Sequence, residues 1–233
     1  MPTINASKYG YMVSSASGTG AFSNLRNSST ATGTVINQPT STSQIPIQYN
    51  VSFSGKGDAA TLRRQWWAFN VSAYSSGYTI TNLFLQFDPT TNTSTNFPIA
   101  VIKSTAQGNA DTNLSDTDWN NLDFNTLYSD NSSANYWPDT NSISTIELNS
   151  TAISAFSTGY LKVCIVWWFD YTGVGSLVTA NGNAYQNFSY TPRIIFSAAA
   201  SGYPNKVNSI VASSGNKINS IIYTDVNKVN SVD

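Results

Sequence analysis

Thr79-Ile-Thr-Asn-Leu-Phe-Leu-Gln-Phe87 sorts its side chains into two sets, Ile80, Asn82, Phe84 and Gln86 against Thr81, Leu83, Leu85 and Phe87. Successive residues of an extended chain point to opposite sides, so the stretch reads as a strand whose second, more apolar set faces a core. Upstream, Arg63-Arg-Gln-Trp-Trp-Ala-Phe-Asn-Val71 reads as a strand that ends in a turn at Ser75-Ser-Gly-Tyr78. Downstream, Asp88 to Asn96 is a polar turn, and Phe97-Pro-Ile-Ala-Val-Ile-Lys103 returns as the next strand. The same reading extends to Thr34 to Asn37, Ile45 to Phe53, Ser144 to Leu148, Leu161 to Tyr171 and Pro192 to Ser197. Ser150 to Ser157 fits one helical turn, and Gly173-Val-Gly175 and Asn181-Gly-Asn183 are turn signals. No amphipathic helix stands out before residue 200, and the longest irregular region spans 104–141.

This succession predicts an all-β fold, a two-sheet antiparallel β-sandwich and most simply a jelly roll, with a C-terminal repeat arm. Three regions follow: a Ser/Thr/Gly-rich segment at 1–46 that contributes edge strands, the sandwich at 47–200, and the arm at 201–233. Two tryptophan pairs, Trp66/Trp67 and Trp167/Trp168, each place one indole in the core and one on an outer face if the strands run straight through them. Outward tryptophans require a covering loop, a neighbouring subunit or a ligand.

The chain of 233 residues has 11 basic, 12 acidic and no histidine residues, and 27 Asn, 34 Ser and 26 Thr supply over a third of it. A neutral polar surface without a basic block argues against nucleic-acid binding, which draws its affinity from Lys and Arg on phosphates. The lack of histidine removes Ser-His and Cys-His catalysis and imidazole metal ligation. Cys164 is the sole cysteine, so no intrachain disulfide forms, and its apolar surroundings mark it as a buried small hydrophobe. The first residues carry no basic-then-apolar leader, and no apolar run is long enough for a membrane span, so synthesis in a cytoplasm without a membrane span is expected. Nine Asn-x-Ser/Thr sequons are what this Ser and Thr content produces by chance, and they do not indicate glycosylation.

Six of the twelve acids lie in the 104–141 region, and no basic residue occurs between Lys103 and Lys162. Asp111, Asp116, Asp118 and Asp123 offer oxygen ligands for Ca²⁺, but their spacing matches no specific calcium loop, and no metal or cofactor is expected. A glycosidase needs two carboxylates at a set separation, whereas Glu147 is the only glutamate and sits in a strand. The expectation is therefore a protein without enzymatic activity. Trp119, Tyr128, Tyr136 and Trp137, set among Asn and Asp, form the candidate aromatic platform for a surface glycan.

The end of the chain repeats at an interval of 11: Asn205-Lys-Val-Asn-Ser-Ile210, Asn216-Lys-Ile-Asn-Ser-Ile221 and Asn227-Lys-Val-Asn-Ser-Val232. An 11-residue apolar period suits a right-handed coiled coil, but Asn, Ser, Gly215 and β-branched residues favour short strands and turns. Single units of this size bury no core of their own. The recurring Lys206, Val207, Ile210, Lys217, Ile218, Ile221, Lys228, Val229 and Val232 therefore point to an assembly or attachment arm.

Arg64-Gln-Trp-Trp-Ala-Phe-Asn-Val-Ser72 followed by Tyr78-Thr-Ile-Thr-Asn-Leu-Phe-Leu-Gln-Phe87 resembles the signature of jelly-roll modules common in phage structural proteins and prokaryotic surface proteins. The order of Val101-Ile-Lys-Ser104, Leu114 to Trp119, Thr145 to Asn149, Tyr160 to Cys164, Asp170-Tyr171 and Tyr190 to Ile194 fits as well. The terminal repeats are similar to the Lys-Val-Asn/Asp-Gly-Val tails of such virion proteins. Asn70 stands where the family carries Asp, and Trp66 and Trp67 enlarge that strand. The resemblance covers residues of about 50 to 233. It implies a capsid-decoration, head-fibre or tail-fibre component located in the virion, partnered by other capsid or tail proteins. By analogy with viral fibres it also implies a homo-oligomer, with a trimer the expected form.

Overall fold

The computed structural model describes residues 1–37, 45–52, 58–90, 97–107, 112–129, 135–136, 143–174, 180–186, 190–200, 217–218 and 221–222. The strands are β1 (Thr3–Asn5), β2 (Lys8–Ser17), β3 (Val35–Asn37), β4 (Ile45–Ser52), β5 (Ala59–Asn70), β6 (Tyr78–Phe87), β7 (Pro89–Thr90) and β8 (Pro98–Ser104). There follow β9 (Leu122–Leu127), β10 (Asn135–Tyr136), β11 (Ser144–Glu147), β12 (Tyr160–Trp167), β13 (Ala180–Gln186), β14 (Arg193–Ala200), β15 (Lys217–Ile218) and β16 (Ile221–Ile222). Among the described residues three short helices interrupt them: α1 (Ala21–Arg26), α2 (Ser150–Ser154) and α3 (Trp168–Thr172).

The fold is the expected all-β sandwich of two antiparallel sheets. One has the order β1-β14-β6-β11, and the other runs β10-β8-β12-β5-β4-β13-β7, with β2, β3 and β9 attached to it. Along the chain β5, β8 and β12 of the large sheet alternate with β6, β11 and β14 of the small one, the sheet-to-sheet crossing of a jelly roll. Leu83, Leu85 and Phe87 of β6 are buried, as their alternation predicts, and the Phe87 ring lies 5.8 Å from that of Trp67.

β5 holds the molecule together because both of its faces are covered. Leu62, Arg64, Trp66 and Ala68 occupy one face, and Gln65, Trp67 and Phe69 the other, and all seven are buried. The expected outward indole of the Trp66/Trp67 pair is therefore absent. Trp67 fills the space between the sheets, and Trp66 packs beneath Trp119 at 6.2 Å between ring centroids. The cover is built from α1, whose Phe22 and Leu25 are buried, and from the 3-10 turn Asp116–Asn120 that carries Trp119. In the second pair Trp167 is buried and Trp168 half-buried, because the strand stops at Trp167 and α3 begins there, short of the predicted Tyr171.

Two further readings are corrected, and one is extended. Residues 1–46 supply β1 and β3 at sheet edges and also β2, all ten residues of which pair with β5, so that β2 lies between β3 and β5. Gly10 sits there so close to β3 that a Cβ would stand 2.2 Å from the Ile36 carbonyl oxygen. The 104–141 region contains β9, and Asn181-Gly-Asn183 lies inside β13, with Gly182 opposite Tyr49 of β4. The helical turn after residue 150 is present as α2, capped by Asn149, whose Oδ1 accepts from the Thr151 and Ala152 amides. Of the arm, β15 and β16 form an antiparallel pair with Lys217 opposite Ile222 and Ile218 opposite Ile221. Those four residues are strands, as the composition argued. Lys206, Val207, Ile210, Lys228, Val229 and Val232 lie outside the described residues.

Candidate functional site

Of the expected glycan platform, Trp119 is fully buried. Its indole N–H donates to the Leu25 carbonyl at 2.8 Å, and the Arg64 guanidinium stacks 4.1 Å from its ring centre. It is a structural lid on the large sheet and cannot offer a face to a sugar. Tyr128 is also buried, with 3% exposure, and the pKa of its hydroxyl is pushed up to about 12, first by burial and second by the Asp123 charge. Tyr136 falls in β10, while Trp137 lies outside the described residues. Trp119 and Tyr128 thus do not present the exposed faces that such a platform would require of them.

The acidic candidates among the described residues do not converge either. Asp111 lies outside the described residues, and Asp116 is exposed. Asp118 spends its carboxylate locally, accepting from the Gln107 and Ser115 amides, the Ser115 hydroxyl and the Asn121 side chain. Asp123 accepts from Thr126 Oγ1 at 2.6 Å and the Asn125 amide at 2.9 Å, and these bonds hold its carboxyl below the usual range. Among the described residues no three His, Cys, Asp or Glu side chains converge as a metal site would require.

The most concentrated charge is structural. Arg64 Nε and Nη2 donate to both oxygens of Asp170 at 2.7 and 2.9 Å, and Nη1 donates to the Trp119 carbonyl at 2.9 Å. Both side chains are buried. Arg26 adds bonds from Nε to the Asp170 carbonyl and from Nη2 to the Tyr171 carbonyl. This cluster joins α1, β5, the 3-10 turn and α3, and its donors and acceptors are consumed within the protein.

A cleft of about 570 Å³ opens where the end of β8, the end of β9, the start of β12 and α2 meet. It falls within the range of roughly 300–1,000 Å³ usual for small-molecule sites. β8 contributes Lys103 and Ser104, with Thr105 just beyond it; Thr126 and Tyr128 come from β9 and its end; Tyr160 and Lys162 come from β12. Thr151, Ser154, Ala155 and Thr158 line the opposite side on α2 and the turn after it. That wall is tied in place by Asn149, whose Nδ2 donates to the Leu127 and Ser129 carbonyls while its Oδ1 caps α2.

Lys162 is largely buried, and its ammonium donates to the Ala106 and Gln107 carbonyls at 3.2 Å each. Among the described residues no acidic side chain lines the cleft. The sequence hinted at this pair only as the two ends of a long stretch without basic residues. Antiparallel pairing of β8 with β12 sets Lys103 opposite Val163, the neighbour of Lys162, and so brings the two ends together.

Fold and site together define a two-sheet antiparallel β-sandwich protein with a cationic, hydroxyl-lined cleft at the edge of its large sheet. No family model matches the chain, and no curated protein matches it in sequence. Among the described residues no helix is long and apolar enough to cross a membrane.

Proposed function

We propose that this chain is a non-enzymatic structural protein of a bacteriophage virion, of the capsid-decoration or fibre kind, whose C-terminal repeat arm assembles copies of the chain or attaches them to other capsid or tail proteins. One observation supports it most. The sandwich covers both faces of its central strand β5 with its own residues, whereas the arm repeats apolar positions three times over in units too small to bury them. The need for a partner therefore falls on the arm and not on the sheet. The strand pair Lys217–Ile218 and Ile221–Ile222 agrees with units that stack or pair as β-structure. Native mass measurement of the purified chain with and without residues 204–233 tests the proposal. The full chain is expected as an oligomer, a trimer by analogy with fibres, and the truncated one as a folded monomer that no longer joins particles. Unchanged oligomeric state and unchanged particle attachment would sink it.

A second reading, a carbohydrate-binding receptor or adhesion module, is favoured by the polar cleft, whose lining includes Tyr128 of the aromatic residues first singled out.

A further inference from the structure

We propose that the cleft between β8, β9, β12 and α2 binds an acidic sugar, a pyranose bearing a carboxylate, as found in the repeating units of anionic surface polysaccharides. The inference rests on the carbohydrate-binding reading and narrows it to a sugar class and a set of residues; it does not depend on the arm.

Three features carry it. The lining is polar and rich in hydroxyls, and several of these have their protons committed inward. Thr126 donates to Asp123, Ser154 to the Ser150 carbonyl, and Thr158, with its one proton, to the Ala155 or the Tyr160 carbonyl. A hydroxyl oriented in this way presents oxygen lone pairs to its open side, so the walls accept hydrogen bonds and suit a ligand with many O–H donors.

The second feature is charge. Among the described residues two lysines and no acid line the cleft, with Asp123 opposite Lys103 in the β8–β9 pair, so the lining itself favours an anion over a cation. Lys103 is half-exposed, and Asp123, the acid it influences, stands outside the lining with its oxygens engaged by Thr126 and Asn125. Lys103 supplies the direct contact to a carboxylate. Lys162 lies deeper, its ammonium held by the Ala106 and Gln107 carbonyls and 5.6 Å from the Tyr160 ring centre.

The third is rigidity. Gln107 is the one non-glycine among the described residues with positive φ, at 66°. Its strained backbone is held from both sides, with its amide donating to Asp118 and its carbonyl accepting from Lys162 and Thr112. A costly conformation of this kind persists where the surroundings over-determine it, and here it positions the buried ammonium.

Calorimetric titration of the full chain with digalacturonate, its neutral counterpart galactobiose and inorganic phosphate tests the proposal. Digalacturonate is expected to bind and to weaken as salt rises, while galactobiose and phosphate bind at least tenfold more weakly. Lys103→Gln is expected to weaken digalacturonate about tenfold or more, the loss of one charge-assisted hydrogen bond. Thr151→Glu places a repelling charge at the cleft wall on an exposed position in the first turn of α2, where an acid favours the helix, so binding is lost with the thermal midpoint retained. Equal affinity for galactobiose would overturn the acidic-sugar assignment while keeping carbohydrate binding. Equal affinity for phosphate would reduce the cleft to a general anion site and overturn it as well. Absence of binding to either disaccharide would overturn both this inference and the carbohydrate-binding reading.

Discussion

Replacing Asp170 by asparagine removes one charge from the buried pair with Arg64 and changes little else in volume. The carboxamide would retain one oxygen for a guanidinium N–H, but its N–H₂ group would face a second donor, and the Arg64 charge would stay buried without its counter-charge. Both side chains are at most 1% exposed, so water cannot substitute for the lost carboxylate. Breaking one side of a buried ion pair costs about 3–5 kcal/mol. For a chain of this size each kcal/mol lowers the midpoint by roughly 2–4 °C, so Asp170→Asn is expected to melt about 6–20 °C lower. Urea denaturation at neutral pH followed by tryptophan fluorescence measures the loss directly, since Trp66 and Trp119 lie in the same cluster. The double variant Arg64→Met with Asp170→Leu removes both charges and is expected to be more stable than Asp170→Asn alone, because no ion is left desolvated. A loss below about 1 kcal/mol for Asp170→Asn, or a double variant less stable than the single one, would refute the account of this cluster as a buried pair whose halves need each other.

Two further outcomes follow from the packing. Cys164 is fully buried, and burial raises its thiol well above the usual range, so a thiol reagent is expected to modify the native chain negligibly and to titrate one thiol on unfolding; rapid native labelling would contradict the burial. The sign of the linkage is that the folded state holds this proton more tightly, so the contribution is intact below the unfolded thiol's pKa and is lost as pH climbs toward the folded one. Gly10→Ala drives a Cβ to 2.2 Å from the Ile36 carbonyl oxygen and is expected to destabilise by about 1–3 kcal/mol through separation of β2 from β3; an unchanged urea midpoint would show that β3 can move aside at no cost.

The sheet elements were legible where one face is wet. β6 alternates apolar and polar residues because one side meets solvent and the other the core, and its bounds differ by one residue from those read in the sequence. Legibility failed where a strand is buried on both faces or lacks a pattern. In β5 the residues Arg64, Gln65, Trp66 and Trp67 are all buried, so alternation could not tell which tryptophan faces inward. β13 pairs with β4 although Asn181-Gly-Asn183 is turn chemistry, because a neighbouring strand supplies backbone partners whatever the local propensity. Asp118 was read among the candidate calcium ligands and instead caps the turn that carries Trp119, a role visible in retrospect as Ser115 followed three residues later by an acid.

By itself, the sequence determined the class of fold, the neutral polar surface, the burial of Cys164 and the repetition of the arm, since each follows from composition or from periodicity along the chain. Only the tertiary structure decided that Trp119 is a lid, that Arg64 meets Asp170 across 106 residues, and that Lys103 and Lys162 share one cleft. Those relations depend on which strands pair and which loop crosses which face. Such choices are settled by the summed burial and hydrogen bonding of the whole sandwich, which leaves no local trace at any one of these residues.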